Sequence, residues 1–441
     1  MAEIRSFRAL HYNMEVIPDL SGVITQPYDK ISPEMQARYY SLSPYNLARV
    51  IRSLPAGSQN NIYARAAADF QSWIQNNILV SEQKPALYPY HQEFEVPGQP
   101  GVRKTRRGFI GLCKLEPYSA GVVHRHEETL SGPKADRMEL LKKTGAHFGQ
   151  IFFLYSDPAG DVEGLLASHT KGAPWQQLTD EYATRHSVWR VSGEGEIARA
   201  AEMMRDKKLV IADGHHRYET ALAYRDFRRA EGAGERAGYV MATFIPMEAP
   251  GLTILPTHRV VHSLPSFDWA KFATAAKAVF DWKETESAAA LKDSGKALQE
   301  AMTAAGRERA ALAVYARPGK LALLSLRPDF DLAQALPELS AAQRRLDVVV
   351  LHRLLLERAL GIDAEAVRTE KNLRYVRGLG NAVGEVNSGA AQAAFLLNPT
   401  PVEAVREVAF GGGVMPQKST DFYPKMLSGF TIYWLENPLG M

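Results

Sequence analysis

Apolar and polar positions recur along the chain with two periods, which predict most of its helices and strands. Ile62, Phe70 and Ile74 lie at helical spacing within 61–78. Residues 86–95 and 103–115 alternate around a Pro-Gly-Gln-Pro-Gly turn, which is typical of a β-hairpin. The same patterns predict strands at 151–155, 187–191, 209–212, 238–245, 253–260, 310–315, 320–326 and 393–398, and helices at 135–143, 194–206, 218–229, 268–280, 287–304, 346–360 and 402–410.

The order of these elements predicts the fold class. Strands and helices alternate irregularly and include hairpins, which favours an α+β or mixed α/β fold, with mixed sheets flanked by helices, over a doubly wound parallel sheet. Near the start, Ser32 and Pro33 form an N-cap and first-turn proline signal for a helix. Alanine-rich segments begin after about residue 265, so we expect two domains, 1–265 and 266–441.

Composition narrows the functional classes. The 441 residues are 46% hydrophobic and 23% charged, with a formal net charge of +3, which is ordinary for a globular protein. No basic block predicts nucleic-acid binding, and no apolar run is long enough to predict a membrane span. The first residues do not resemble a signal peptide, so a cytoplasmic protein is expected. The single cysteine, Cys113, lies in an apolar run and is expected to be buried. The oligomeric state is left open.

The strongest candidate site is the strand-to-helix turn formed by Asp213, Gly214, His215, His216 and Arg217. A helix N-terminus offers free backbone amides and positive dipole charge to an anion. Glycine permits a tight turn, arginine binds phosphate with two parallel hydrogen bonds, and histidine transfers protons near neutral pH. We therefore predict a phosphate site here. The alternative, an aspartate that merely caps the helix, accounts for only one of the five residues.

A second candidate is the histidine-rich loop 124–134. His126 and Glu127, with Asp136 and Arg137 about ten residues later, offer an acid/base group and a carboxylate that together also suit a divalent ion. The alternative is a polar surface loop that begins a helix. If a metal ion is bound, Mg²⁺ accompanying phosphates fits these residue types better than a closed zinc site.

Two further loops carry phosphate-binding or proton-transfer residue types. The glycine-rich 411–425 loop contains Lys418, Ser419, Thr420 and Lys425. Its spacing is not that of a Walker A motif, but its lysines and hydroxyls suit an anion, and we expect the loop to return to the 213–217 turn. An exposed surface loop is the alternative. Tyr28-Asp29 follows a predicted strand, where a catalytic base is often placed, while His258 and His262 are expected to be structural.

Four sequence motifs resemble the bacterial and archaeal family catalogued as domain of unknown function 1015. They are Gln-Pro-Tyr-Asp-Lys-Ile-Ser (26–32), His-Glu-Glu-Thr-Leu with Lys-Ala-Asp-Arg (126–137), Ile-Ala-Asp-Gly-His-His-Arg-Tyr-Glu-Thr-Ala (211–221) and Met-Pro-Gln-Lys-Ser-Thr-Asp-Phe-Tyr-Pro-Lys (415–425). They follow one another from end to end, so the resemblance spans essentially the whole chain. Glu219 lies in the third motif and Arg137 in the second, and both are expected to lie beside the substrate or behind its ligands.

The Gly-His-His-Arg sequence also resembles the Gly-x-x-Arg box of the partition protein B, sulfiredoxin and free-serine kinase superfamily. That resemblance implies a related core fold, a phosphate cradle at 214–217, and Asp213 as the acidic residue with which the kinase branch begins its box. It also implies Asp29 as the base, by analogy with an N-terminal carboxylate of that branch. The chain lacks the cysteine of the sulfiredoxin box and an evident helix-turn-helix after it.

These observations predict a phosphotransferase that acts on a small hydroxylated metabolite. The resemblance makes free L-serine the favoured acceptor, with a nucleotide or pyrophosphate as donor and Mg²⁺ as its companion. Asp29, His126, His215 and His216 are the expected catalytic residues. The alternatives are a nucleotide-binding regulatory protein, a hydrolase of phosphoserine or a related ester, and a metal-dependent hydrolase that uses the 124–128 loop.

Overall fold

A computed structural model describes residues 1–55, 61–127, 132–232, 234–317 and 319–441, apart from the side chains of residues 132, 133 and 294. No helix within these ranges is both long and apolar enough to cross a membrane. The strands are β1 (Ile4–Arg5), β2 (Leu10–Tyr12), β3 (Leu79–Ser81), β4 (Tyr88–Glu95), β5 (Arg103–Lys114), β6 (Val123–His124), β7 (Ala146–His147), β8 (Ile151–Tyr155), β9 (Gln176–Thr179), β10 (Arg185–Val188), β11 (Leu209–Asp213), β12 (Tyr239–Pro246), β13 (Thr253–Leu255), β14 (Thr257–Val261), β15 (Phe280–Glu286), β16 (Ala311–Ala316), β17 (Lys320–Leu326), β18 (Leu373–Arg377), β19 (Ala393–Leu397), β20 (Asp421–Tyr423) and β21 (Tyr433–Trp434).

Helices cover the sheets and connect their strands. A π-helix over Leu351–Glu357 joins two of the short α-helices named below, α13 and α14. The helices are α1 (Pro33–Leu42), α2 (Ala48–Ile51), α3 (Ile62–Gln75), α4 (Gly132–Thr144), α5 (Asp161–Ala167), α6 (Glu194–Met204), α7 (His215–Ala230), α8 (Trp269–Lys277), α9 (Ser287–Ala290), α10 (Lys296–Ala305), α11 (Leu332–Ala335), α12 (Ala341–Arg344), α13 (Asp347–Val350), α14 (Arg358–Leu360), α15 (Ala364–Arg368), α16 (Leu379–Asn387) and α17 (Val402–Phe410).

The first sheet contains nine strands of the described ranges. Its order is β6-β11-β8-β12-β5-β4-β10-β9, and β1 also pairs with β5. The pairs β6/β11 and β8/β12 are parallel and the other pairs are antiparallel. Along β8, Phe152 and Phe153 point into different apolar clusters, so both faces of this sheet are buried. The sheet is therefore mixed, and the predicted mixed α/β fold is confirmed.

A second sheet holds six described strands in the order β15-β17-β16-β19-β14-β18, and every pair in it is antiparallel. Strand β14 lies before residue 265 but pairs with β18 and β19, which come much later in the chain. The sheet therefore draws on residues from both sides of the predicted 265/266 boundary, because strand pairing and not local composition decides membership.

Residues 415–428, which we call the C-terminal segment, run back across the first sheet. Met415 bridges Glu127, β20 pairs with β13, and Ser428 bridges Thr25. Beyond this segment, β21 pairs with β7. The C-terminus thus packs against residues from the first half of the chain.

The structure confirms several sequence predictions and corrects others. The β4/β5 hairpin has the predicted strands, β8 covers 151–155 as predicted, and Ser32 caps α1. The single strand predicted at 253–260 is wrong, because β13 and β14 belong to different sheets. The helices predicted at 268–280 and 287–304 are shorter, and β15 lies between them. Its charged, exposed positions belong to a sheet edge and lack the apolar alternation that reveals a strand. Residue 318, in the predicted 316–319 turn, lies outside the described residues.

Candidate functional site

The candidate phosphate turn joins β11 to α7 through Gly214. Gly214 adopts a left-handed φ of 97° and is the N-cap residue of α7, which begins at His215 rather than at the predicted residue 218. Gly214, the N-cap residue, has no side chain with which to cap α7, and Asp213 lies one residue before it, so Asp213 is not the helix cap. His215, His216 and Arg217 lie inside the first turn of the helix, whose N–H groups and dipole favour an anion.

Arg217 is held at the edge of the turn. Its guanidinium donates to the carbonyl oxygen of Gln150, and its Nη2 lies 3.6 Å from the Asp213 carboxylate. A Cβ atom at Gly214 would lie only 3.1 Å from the guanidinium carbon, and one at Gly149 would lie 3.1 Å from Nη1. The two glycines therefore leave space that the arginine occupies.

Asp213 begins a chain of alternating charges. Lys425 Nζ lies 3.4 Å from Asp213 and 3.2 Å from Asp421, and Arg377 in turn donates to Asp421 at 2.6 Å. Burial would raise the pKa of Asp213, but the positive charges of Lys425 and Arg217 outweigh burial and hold that pKa well below its usual value. Asp213 is therefore an anion at every physiological pH.

These residues line a cavity of about 570 Å³ between the first sheet, the second sheet and the C-terminal segment. This volume suits a small phosphorylated metabolite or a nucleotide. Among the described residues its cationic side chains are Lys30, Arg52, Arg217, Arg377, Lys418 and Lys425, and its carboxylates are Asp29, Glu127, Asp213, Glu370 and Asp421.

A short 3-10 helix, Tyr28–Lys30, forms another wall of the cavity. Asp29 is exposed there and makes no hydrogen bond or ion pair with a described residue. Lys30 also lies within 4 Å of no described carboxylate, and burial together with the positive charge of Lys425 lowers its pKa. The ring of Tyr28 stacks against Arg137 at 4.1 Å. This wall thus supplies a cation and a carboxylate, both without close protein partners in the described ranges.

His126 and His215 are in contact, but only His215 lines the cavity. His126 is fully buried. Its Nδ1 lies 2.7 Å from the carbonyl oxygen of Ile211, and its Nε2 lies 2.8 Å from the hydroxyl of Thr420. Burial lowers its pKa to about 4. Since both nitrogens are engaged inside the protein, His126 is placed to join β11 to the C-terminal segment and not to meet a ligand.

His215 is neutral at physiological pH. Burial, followed by the neighbouring His126, holds its pKa well below the usual value. Its Nε2 accepts a hydrogen bond from the His126 amide at 3.4 Å, so the remaining proton is on Nδ1. Burial also lowers the pKa of His216, which lines the cavity as well. At neutral pH both histidines are therefore neutral rather than positively charged.

The side chain of Glu127 contacts the main chain of Lys418 near the start of the C-terminal segment. The amide of Lys418 donates to Glu127 Oε1 at 3.2 Å, and Lys418 adopts a left-handed φ of 57°. Burial raises the pKa of Glu127, although the charge of Lys418 acts in the opposite direction. A carboxyl with a raised pKa in a cavity suits proton transfer.

Four other predicted residues differ in whether they line the cavity. Thr420 lines the cavity, whereas the Ser419 hydroxyl donates to the carbonyl oxygen of Pro416 and does not line it. Arg137 donates to Asp136 and to the carbonyl oxygen of Ile51, away from the cavity. Glu219 pairs with Lys134 and accepts from Tyr118, and it too lies outside the lining. The structure therefore brings together the residues predicted at 28–29, 127, 213–217, 418, 420 and 425.

Several of the residues that line the cavity were not predicted from the sequence. Lys30 lies in the motif of residues 26–32, and Asp421 lies in the motif of residues 415–425, four residues before Lys425. Both could therefore have been predicted from the sequence. Arg377 and Tyr375 belong to β18, which no hydrophobic pattern predicted. The Tyr375 hydroxyl is buried without a hydrogen-bond partner in the described ranges, which suits an oxygen of a ligand.

Metal binding by the protein alone has no support in the described part of the chain. There, no group of three or more histidine, cysteine, aspartate or glutamate side chains is arranged to hold an ion. Residues 128–131 of the predicted histidine-rich loop lie outside the described residues.

Three solved structures are similar to the chain at low identity. A mutant free serine kinase in complex with ADP is 11% identical, with a TM-score of 0.35 over 70% of this chain and 86% of that one. A conserved hypothetical protein from Pyrococcus furiosus is 13% identical, with a TM-score of 0.35 over 74% and 95%. SbnI with a C-terminal truncation, from Staphylococcus aureus, is 9% identical, with a TM-score of 0.35 over 75% and 90%. At such low similarity the ligands of those proteins are not transferable to this chain.

The comparison with protein families gives a firmer result. No curated protein matches the chain. Residues 4–349 match the family described as "Protein of unknown function (DUF1015)". That match covers more than half of the sequence and contains the motifs of 26–32, 126–137 and 211–221, so the chain belongs to this family.

Proposed function

We propose that this protein is a phosphotransferase that moves a phosphoryl group from a nucleotide or pyrophosphate to the hydroxyl of a small metabolite, with free L-serine as the first acceptor to test. One observation carries the proposal. Cationic side chains from separate parts of the chain and the N-terminus of α7 converge on one cavity of about 570 Å³. Phosphoryl transfer requires this kind of fixed positive charge around a polyanion.

The carboxylates of the protein do not pair with every cation that lines the cavity. Asp213 and Asp421 neutralise Lys425, and Asp421 also pairs with Arg377. Lys30 has no carboxylate within 4 Å in the described ranges. A phosphate group therefore meets a cation that is not already paired, which favours binding over competition with internal ion pairs.

Asp29 is the proposed proton acceptor. It is exposed on the cavity wall without a hydrogen bond to a described residue, so its carboxylate is free to accept the proton of a substrate hydroxyl. The hydroxyl oxygen then forms a bond to phosphorus, the donor's bridging P–O bond breaks, and the electron pair leaves with the shortened donor. Neutral His215, through Nδ1–H, supports a phosphoryl oxygen during transfer.

Magnesium enters the proposal only as a companion of the phosphate donor. The described residues hold no preformed cluster of metal ligands, so no protein side chain is proposed as a ligand of the ion. Assays with and without Mg²⁺ will decide whether it is required.

The test is a phosphorus NMR screen. ADP, ATP or pyrophosphate is incubated with the full-length protein and either L-serine or a pool of hydroxylated metabolites. A new phosphomonoester signal in wild type, lost in Arg217→Ala, is expected. Arg229→Ala is the matched control, since Arg229 is an exposed arginine of the same helix and lies outside the cavity lining.

Two other results would replace the proposal. Nucleotide that binds but is recovered unchanged with every acceptor would indicate a regulatory binding protein. Release of inorganic phosphate from phosphoserine without any transfer would indicate a phosphoester hydrolase. Absence of both binding and phosphorus redistribution would remove the phosphotransferase assignment.

A further inference from the structure

The main chain of the C-terminal segment is held by side chains beneath the cavity. Arg259, on β14, donates to the carbonyl oxygens of Gln417 and Lys418, both at 3.1 Å. The hydroxyl of Thr400 donates to the carbonyl oxygen of Ser419 at 2.7 Å. Three consecutive carbonyl groups are thus held from the side of the second sheet.

The other end of the segment is held from the first sheet. Arg106, on β5, donates to the carbonyl oxygens of Tyr423, at 3.1 Å, and Pro424. Gln92, on β4, donates to the carbonyl oxygen of Lys425 at 2.9 Å and accepts from Arg106 Nε at 3.0 Å. The same arrangement therefore occurs at both ends, although the two arginines come from different sheets.

Both arginines are buried without a carboxylate partner. Arg106 is 0% exposed and Arg259 is 1% exposed, and neither lies within 4 Å of a described carboxylate oxygen. Burial lowers the pKa of Arg106 to about 9 and that of Arg259 to about 10, so both remain charged at neutral pH. Burying an unpaired charge is unfavourable. Hydrogen bonds to main-chain carbonyl groups and to neighbouring side chains, including Gln92 for Arg106 and His352 for Arg259, offset this cost.

The functional consequence lies in the side chains that the held segment presents. Lys418 and Lys425 both line the cavity, and Lys418 does so from a left-handed backbone conformation that non-glycine residues rarely adopt. Lysine side chains are flexible, and fixing their backbone in advance lowers the entropy lost when they close on an anion.

We infer that Arg106 and Arg259 are positioning residues. They fix the two ends of the C-terminal segment from the two sheets, so that Lys418 and Lys425 are already in place when a phosphate group enters. The inference rests on the proposed function insofar as the bound group is a phosphate. The anion affinity of the cavity is then set partly by two arginines that do not line it.

Arg259→Lys and Arg106→Lys test this inference in the full-length protein. Each keeps a positive charge but loses the fork that reaches two carbonyl groups. By isothermal titration calorimetry, each is expected to bind pyrophosphate about ten-fold more weakly than wild type. The controls are Arg309→Lys and Arg185→Lys, which change a half-buried and an exposed ion-paired arginine in the second and first sheet regions and are expected to stay within about two-fold.

Hydrogen–deuterium exchange without any ligand provides the second readout. Peptides covering 415–428 should exchange faster in both arginine variants, while those covering β16 should match wild type. If either lysine variant also loosens β16, Thr400→Val is used instead, because it removes only one donor to Ser419 and buries no new charge. It should loosen 415–428 and weaken pyrophosphate binding in the same way.

The outcomes separate this inference from the proposed function. Unchanged pyrophosphate affinity in the variants, with wild type binding, overturns the positioning role. Weaker binding without faster exchange at 415–428 also overturns it, because the segment would then be held equally well without the arginine hydrogen bonds. If wild type binds neither pyrophosphate nor nucleotide, the proposed function fails, and the exchange data alone decide whether the arginines hold the segment.

Discussion

Asp213 and Lys425 form an ion pair of 3.4 Å that joins the end of β11 to the C-terminal segment. Lys425 also lies 3.2 Å from Asp421. Burial disfavours a charged lysine, but Asp213 and Asp421 outweigh it and raise the pKa of Lys425. The candidate site therefore exists only once the C-terminus has packed against the first sheet.

Replacing Lys425 with methionine should abolish anion binding and lower the free energy of unfolding. The change leaves Asp213 and Asp421 close together without their shared cation, and breaking a buried pair in this way costs about 3 kcal/mol of unfolding free energy. Urea denaturation measures that loss. Lys142→Met, which breaks an exposed pair with Glu139, is the control and should cost about 0.5 kcal/mol or less. Equal losses in the two variants would contradict the role of Lys425.

Gly214→Ala should have two effects: it should strain the backbone, and it should weaken phosphate binding. At φ of 97° a Cβ is strained, and here it would also lie 3.1 Å from the Arg217 guanidinium and displace it. The backbone term is about 1–2 kcal/mol. Gly232→Ala is the matched control, because Gly232 has a φ of +72° with nothing within 4 Å of a Cβ. Both variants should lose similar stability, but only Gly214→Ala should bind pyrophosphate more weakly in calorimetry.

Asp29→Asn should separate binding from chemistry. Asp29 is exposed and makes no ion pair with a described residue, so stability and pyrophosphate affinity should be retained while kcat for transfer falls about 10²–10⁴-fold. Steady-state kinetics with the acceptor found by NMR measure this. Glu15→Gln, another exposed carboxylate change outside the cavity lining, should leave kcat unchanged. A fall in kcat of only a few-fold would assign the proton acceptor elsewhere, with Glu127 the next residue to replace.

Stability should depend on pH through Asp347. Burial raises the pKa of this carboxyl to about 7, although hydrogen bonds from Asn398 and the Ala311 amide act against the shift. Between about pH 4, its unfolded pKa, and about pH 7, the folded protein binds the proton more tightly, so this contribution to stability falls as pH rises. Urea denaturation at pH 5 and pH 8 should show that Asp347→Asn abolishes the contribution.

Comparison with the variant is essential to this measurement. Buried histidines such as His258, whose pKa burial lowers to about 4, contribute in the opposite direction, and their contribution to stability is lost as pH falls below about 6.5. An Asp347→Asn variant with the same pH profile as wild type would show that this carboxyl does not titrate between the two values.

Local sequence signals were reliable where one segment contained all the information. The candidate turn was identifiable because Gly214 follows an apolar strand and precedes an amphipathic helix that contains Arg217. The start of α7 was predicted three residues late, because polar His215 and His216 gave no apolar periodicity. Strand β15 was missed for a similar reason, since its exposed face is charged.

Other parts of the site had no local signal. Arg377 and Tyr375 are unremarkable in a segment that no pattern marked as a strand, and Arg106 sits in a run of basic residues, Arg103 to Arg107, that resembles an exposed edge. Their burial depends on which strands pair and on what covers them. Likewise, His126 has the composition of a catalytic histidine, and only the carbonyl oxygen of Ile211 and the hydroxyl of Thr420 reveal that both its nitrogens are engaged.

The sequence by itself determined the mixed α/β class and the family, and it predicted an anion-binding turn, because periodicity, glycine placement and motif order are properties of neighbouring residues. Tertiary structure alone decided that β14 joins the second sheet, that Lys30, Arg377 and Lys425 share one cavity, and that two buried arginines hold the C-terminal segment. The physical reason is the separation along the sequence over which each kind of interaction acts. Helix and turn formation respond to residues within a few positions, whereas ion pairing and burial depend on distances that only long-range packing sets.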